Sequence, residues 1–332
     1  MSGTKYYQLL DAEVLAFIAR TASCYPERSA PPDLQEMRSD YEQMCAAFAV
    51  PYPAGLTTKD DMIEPIADSS DTIPVRWYYP ADIKQGQPAI LYFHGGGFVV
   101  GSLASHDSIC ADLAAGAEMD LMAVDYALAP EHRYPAALED ALAATRYFCD
   151  AFPGRAFLLA GDSAGAWLAA SIAHRLAGKQ PGLLGQLLIY PTLGGDVTKG
   201  SYIEHGNAPL LSRENILWYG QQFWGYGQQF RDTDQQFRDT DQPDKQPGPL
   251  SETDFSYLPP TVIFSARCDP LCDDGPAYAK LIIQAGGKAH CSIEEGLVHG
   301  YLRGRYSSEK IANSFLGMQA ACRALKAEDW PY

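Results

Sequence analysis

The chain has 332 residues, of which 47% are hydrophobic and 20% charged, with a formal net charge of −16 and a pI near 4.7. That length and apolar fraction suit one α/β domain with a smaller accessory piece. A surface this acidic repels phosphate backbones and disfavours strongly anionic substrates, which excludes nucleic acid as a partner, and no apolar run reaches the roughly 18 residues of a membrane span.

In chain order, Leu9, Leu10, Val14, Phe17 and Ile18 recur at helical spacing. Acids interrupt this apolar stretch and no small-residue cleavage site follows it, so it does not read as a signal peptide. A second helix is expected behind Pro31, Pro32 and Asp33, through Met37, Tyr41, Met44 and Phe48, ending before Pro51. Both helices precede any strand, which marks residues 1–52 as a helical cap segment.

From about Asp60 the pattern turns to short extended runs. Asp61 to Ala67 and Ile73 to Tyr79 read as an antiparallel pair, and Pro88 to Phe93 as the first strand of the core. Strands and helices then alternate: strands over 121–125, 156–160, 184–190, 261–266 and 289–294, and helices over 136–148, 164–177, 276–285 and 309–325. Apolar strands separated by helices imply a mostly parallel sheet of about eight strands, covered on both faces. Residues 53–192 and 251–332 form this core, and residues 193–250 interrupt it as a second cap insertion. Inside the insertion QQFRDTD occurs at Gln228 to Asp234 and again at Gln235 to Asp241, with QQFWGYG at Gln221 to Gly227 as a diverged copy. The seven-residue period keeps Phe223, Phe230 and Phe237 near one helical face, drifting by about 20° per repeat. Three copies are too short for a solenoid, so the repeat is read as lengthening a cap helix or loop.

The chemistry concentrates in four places. Gly161-Asp162-Ser163-Ala164-Gly165 matches G-x-S-x-G, with the apolar strand end Leu158-Leu159-Ala160 before it and a helix after it. That context puts Ser163 on a sharp strand-to-helix turn, where only small neighbours fit and free N–H groups face the reacting centre. His94-Gly95-Gly96-Gly97-Phe98 follows another strand. Its glycines let backbone N–H groups approach a developing oxyanion, so Gly96 and Gly97 are assigned as donors with Ala164 as the third. A phosphate cradle would need a G-x-G-x-x-G or a following lysine, and the chain has neither there. His94 lies within the donor loop and is read as a structural brace. Among seven histidines, His299 alone sits in a loop just after the last strand, which makes it the general base. Asp269, after the preceding strand, is the orienting acid, with Asp273 and Asp274 as alternatives for which a helix N-cap or dipole role suffices. The chain order Ser163, Asp269, His299 fits an acyl-transfer triad that needs no metal or cofactor. The eight cysteines are scattered, with no CxxC pair, and read as reduced thiols of a cytoplasmic protein.

HGGGF, DYALAPEHRYPAALED, GDSAGA, DPLCDDG and VHGY, in that order, together resemble the hormone-sensitive-lipase-like esterases, bacterial family IV. The resemblance runs from about Asp60 to the C-terminus, broken at the repeat. It implies an α/β-hydrolase fold with a cap built from N-terminal helices and a mid-chain insertion. It also implies hydrolysis of short- to medium-chain acyl esters by Ser163, His299 and Asp269, with Gly96 and Gly97 at the oxyanion. The expected partner is a small-molecule ester, with a homodimer left open. Phe98, Trp218, Phe223 and Trp224 are candidates for the substrate pocket or for packing within the cap. The heptad repeat and Arg267-Cys268 before the acid depart from the family pattern. Two rival readings stand beside the esterase. One is a ligand receptor on the same scaffold, against which His299 argues. The other is a peptidase, amidase or acyltransferase, for which no peptide-terminus anchor is identified.

Overall fold

The computed structural model describes residues 3–64, 72–81, 83, 86–225 and 247–332. Three helices open the chain: α1 (Gly3–Leu9), α2 (Ala12–Ser23) and α3 (Leu34–Ala47). The first is separated from the second because Asp11 caps α2, accepting a hydrogen bond from Val14 N at 2.9 Å, where periodicity alone predicts one continuous helix. Asp33 starts α3 with a reciprocal capping box to Glu36.

The sheet follows as β1 (Thr57–Ile63), β2 (Ile73–Tyr79), β3 (Ala89–Phe93), β4 (Asp120–Val124), β5 (Phe157–Asp162), β6 (Leu183–Ile189), β7 (Thr261–Cys268) and β8 (Ala289–Val298). Its eight strands lie in the order β1-β2-β4-β3-β5-β6-β7-β8. The β1–β2 and β2–β4 pairs are antiparallel and the rest are parallel. β1 begins before the run expected over 61–67, whose last three residues lie outside the described ones. The connecting helices are α4 (Asp107–Ala117), α5 (Ala136–Ala151), α6 (Ala164–Leu176), α7 (Gly200–Glu204), α8 (Arg213–Trp224), α9 (Asp274–Gln284) and α10 (Glu309–Lys326). Sequence periodicity misses α4. Ile109, Cys110, Ala111, Asp112, Leu113, Ala114 and Ala117 are all buried there, so it has no polar face to set a helical period.

Alternation along the strands divides the core in two. Ile90, Tyr92, Leu158, Ala160, Leu187 and Ile189 point to one face, and Leu91, Phe93, Leu159 and Leu188 to the other. Val14, Phe17, Met44 and Phe48 of α2, α3 and the loop after them belong to the first of these clusters, so the N-terminal helices help close the core. In the insertion, Ser212 and Asn215 form a capping box for α8, and Gly225 ends it in the left-handed region at φ 74°. Gln221 to Trp224 of the diverged repeat are thus helical, while both exact copies, with Phe230 and Phe237, lie outside the described residues.

Candidate active site

The parallel register brings the C-terminal ends of β3, β5, β6, β7 and β8 to one edge of the sheet, where loop residues converge. Ser163 leaves β5 there with φ 53° and ψ −116°, a backbone conformation few L-residues adopt. The surroundings hold it: Ser163 N donates to Ile189 O at 2.9 Å, and its carbonyl accepts from Ala166 N and Trp167 N of α6. The turn also needs a close approach of α6 to β3, since a Cβ on Gly165 would lie 1.9 Å from Phe93 O.

Asp269 follows β7 and is fully buried. One of its oxygens accepts from Leu271 N at 2.9 Å, and the other lies 2.7 Å from His299 Nδ1. His299 Nε2 is 2.9 Å from Ser163 Oγ. The three side chains expected together are therefore joined in one hydrogen-bonded line. Asp273 and Asp274 are elsewhere: Asp273 stands at the N-cap position of α9 without a side-chain cap bond, and Asp274 is the acid of its first turn. Asp273 accepts from Ser201 N at 2.8 Å, and Asp274 accepts from Leu193 N at 2.7 Å and from Tyr202 OH at 3.1 Å. Both carboxylates fasten the insertion to the core, a long-range role that local helix-start rules do not reveal.

The HGGG loop is braced from beneath by Asp162, the variable residue of G-x-S-x-G. It accepts from Gly95 N at 2.9 Å and Tyr92 OH at 2.7 Å, and His106 Nε2 lies 3.4 Å away. Burial alone would raise its pKa. His106, with Arg303 and Tyr92 beyond it, outweighs that and holds it below the usual carboxylate range. His94 stacks on Tyr126 at 4.3 Å between ring centroids, with Nδ1 2.8 Å from Gly95 O, and burial followed by the charge of His106 pushes it down to about 3. Other histidines are likewise engaged, His174 Nε2 with Tyr278 OH at 2.9 Å and His290 in a stack on Tyr332.

Gly96 and Gly97 have φ of 128° and 61°, and they line one cavity of about 340 Å³ together with Ser163, Ala164 and His299. Among the described residues, no hydrogen bond is donated by the N–H groups of Gly96, Gly97 or Ala164. Of the aromatic pocket candidates, Phe98, Phe223 and Trp224 line this cavity, Phe98 stacked on Phe223 at 3.8 Å. Trp218 does not. It packs edge-on against Tyr219, which takes the wall position over Gly97. Adjacent aromatics on a helix point about 100° apart, and only the packed structure tells which one faces the site. Trp167, Tyr25, Tyr41 and Arg303 also line the cavity and carry no motif signal.

A family described as alpha/beta hydrolase fold matches residues 90–303. The chain belongs to this family, in its hormone-sensitive-lipase-like branch. It is 37% identical over 247 residues to carboxylesterase NlhH of Mycobacterium tuberculosis, covering 71% of this chain and 73% of that protein. It is 32% identical over 285 residues to ethyl acetate hydrolase of Pseudomonas putida, covering 82% and 84%. The hyperthermophilic esterase from the archaeon Pyrobaculum calidifontis superposes with a TM-score of 0.80 at 28% identity, covering 95% of this chain and 98% of that one. Among the described residues, no helix is long and apolar enough to cross a membrane, no group of metal-ligand side chains is present, and all eight cysteines are free.

Proposed function

We propose that this carboxylic ester hydrolase cleaves short- to medium-chain acyl esters through an acyl-enzyme on Ser163. His299 takes the hydroxyl proton as Ser163 Oγ attacks the ester carbonyl carbon. The oxyanion is received by the N–H groups of Gly96, Gly97 and Ala164, each lowering the barrier by about 3 kcal/mol. His299 then delivers its proton to the leaving alkoxide, takes another from an entering water, and the acid departs as Ser163 is restored. Asp269 keeps the histidine in the right tautomer and stabilises its cation.

The observation that carries this reading is the unbroken line from Asp269 through His299 to Ser163 Oγ, opening on a cavity bordered by unbonded N–H groups. The catalytic histidine speaks against a receptor. The names carboxylesterase NlhH and ethyl acetate hydrolase, borne by relatives matched over most of their length, favour ester over amide chemistry. The test is hydrolysis of p-nitrophenyl esters from acetate to decanoate, beside aminoacyl anilides and fluorophosphonate labelling. Turnover with an optimum at or below medium chain length is expected, with label on Ser163 and none on Ser163→Ala, which keeps its far-ultraviolet circular dichroism. Amide turnover without ester turnover would overturn the reading. We further propose, on chain order, that residues 1–52 and 193–250 act as a two-part cap and, on the scattered cysteines, that the protein is cytoplasmic, with a homodimer left open. Cell fractionation and sedimentation velocity test the last two.

A further inference from the structure

The cavity above Ser163 has two chemically different walls. Toward α8 it is aromatic, with Phe98, Trp167, Tyr219 and Phe223. Toward α2 and α3 it is mixed: Phe17 and Met44 are apolar, while Thr21, Tyr25, Tyr41 and Arg303 bring polar groups to it. Arg303 stands on a 3-10 turn, Tyr301–Gly304, just beyond His299, and is 8% exposed. Its Nε donates to Cys45 Sγ at 3.2 Å and its Nη2 to Tyr41 OH at 2.6 Å, with His106 Nε2 at 3.5 Å. Nη1 donates to none of the described residues, and Arg303 lines the cavity.

Among the described residues, no carboxylate forms an ion pair with Arg303. Asp162 acts on it only through space, its own contacts being Tyr92, Gly95, Tyr190 and His106. A guanidinium stays charged at any pH a protein survives, and burying one without a direct ion pair is costly. A leucine or methionine would wall the pocket without that cost. A carboxylate arriving with a substrate would meet Nη1 of a guanidinium whose plane is already fixed by its bonds to Tyr41 and Cys45.

We infer that Arg303 anchors an anionic group of the substrate, and that the esters this enzyme prefers are half-esters of dicarboxylic acids, their free carboxylate reaching toward α2 and α3. This rests on the esterase reading above. The net charge of −16 opposes the approach of such a substrate. That is a long-range effect which salt screens, whereas the buried contact is screened little.

The test compares monoethyl glutarate, adipate and suberate with ethyl pentanoate, hexanoate and octanoate by pH-stat, in about 0.15 M salt. For at least one length the half-ester should have the larger kcat/KM, and Arg303→Gln should cut the half-ester-to-neutral ratio by roughly tenfold or more, as expected for a charge-assisted hydrogen bond. A neutral ester preferred at every length, or a ratio that the substitution leaves unchanged, overturns the inference. Should the variant not fold, competitive inhibition of the wild type by 5-boronopentanoate against pentylboronic acid decides instead. The carboxylated boronate is expected to bind about tenfold more tightly, and equal or weaker binding overturns the inference. Absence of turnover in both ester series sinks the esterase reading itself, and the inference with it.

Discussion

Three aspartates within six positions of one another show how differently a carboxylate can be used. Asp269 touches His299, Asp273 holds Ser201 N, and Asp274 receives Leu193 N and Tyr202 OH. Asp269→Asn presents the histidine with the wrong partner and should lower kcat/KM for p-nitrophenyl butyrate by roughly three to four orders of magnitude. Asp273→Asn, which retains a carbonyl oxygen for Ser201 N, should stay within about tenfold of the wild type, the cost of one weakened hydrogen bond. Equal losses in the two variants would mean that Asp269 is not the orienting acid. Sequence reasoning could single out Asp269 because motif order and strand ends bound its place. It could not see that Asp162 braces Gly95, because that contact joins positions 67 residues apart.

At the scale of elements, α3 is tied to the loop after β3 that carries Gly96 and Gly97 and to the loop after β4. Arg38 donates from Nε to Val99 O at 2.8 Å and from Nη2 to Ala129 O at 3.1 Å, and it pairs with Glu131 at 2.7 Å. The Glu131 pair is exposed and contributes little, whereas the two carbonyls lose their donor when the guanidinium is removed. Arg38→Met should therefore lower the urea-unfolding free energy by about 1–3 kcal/mol. An unchanged midpoint would show that α3 is held by apolar packing alone. The capping residues of α3 and α8 are visible as local patterns, since cap and partner are three residues apart. α4 leaves no such trace because it is apolar nearly all round.

For the whole molecule, Asp274 is the clearest point where the two halves of the chain meet. Burial is the main cause that raises its pKa from 3.8 to about 7, against the donors that face it. A carboxyl with a higher pKa folded than unfolded binds more protons in the native state between these values, so it lowers stability as pH rises through that window and adds no further slope above it. Asp274→Asn removes the proton uptake. The stability of the wild type relative to this variant should fall between pH 4 and pH 7 and level off at higher pH, as read by urea unfolding at a series of pH values. A difference that stays flat across the window would show that Asp274 remains ionised when buried. Asp162 works in the opposite sense: its pKa is depressed in the fold, so its contribution is present at neutral pH and lost in acid.

The alternation of apolar strands with helices, the serine turn, the glycine loop and the order of acid and histidine are short-range patterns, and the sequence alone determined them. Backbone sterics and strand period act over a few residues, so they leave a readable trace. Which aromatic faces the cavity, Tyr219 and not Trp218, was decided only by tertiary packing. So were the second face of α2 and α3, the tethering of the insertion by Asp273 and Asp274, and the Arg303 guanidinium at the cavity wall. Each depends on contacts between residues distant in the chain, whose geometry is set by how helices dock on the sheet and not by any local preference.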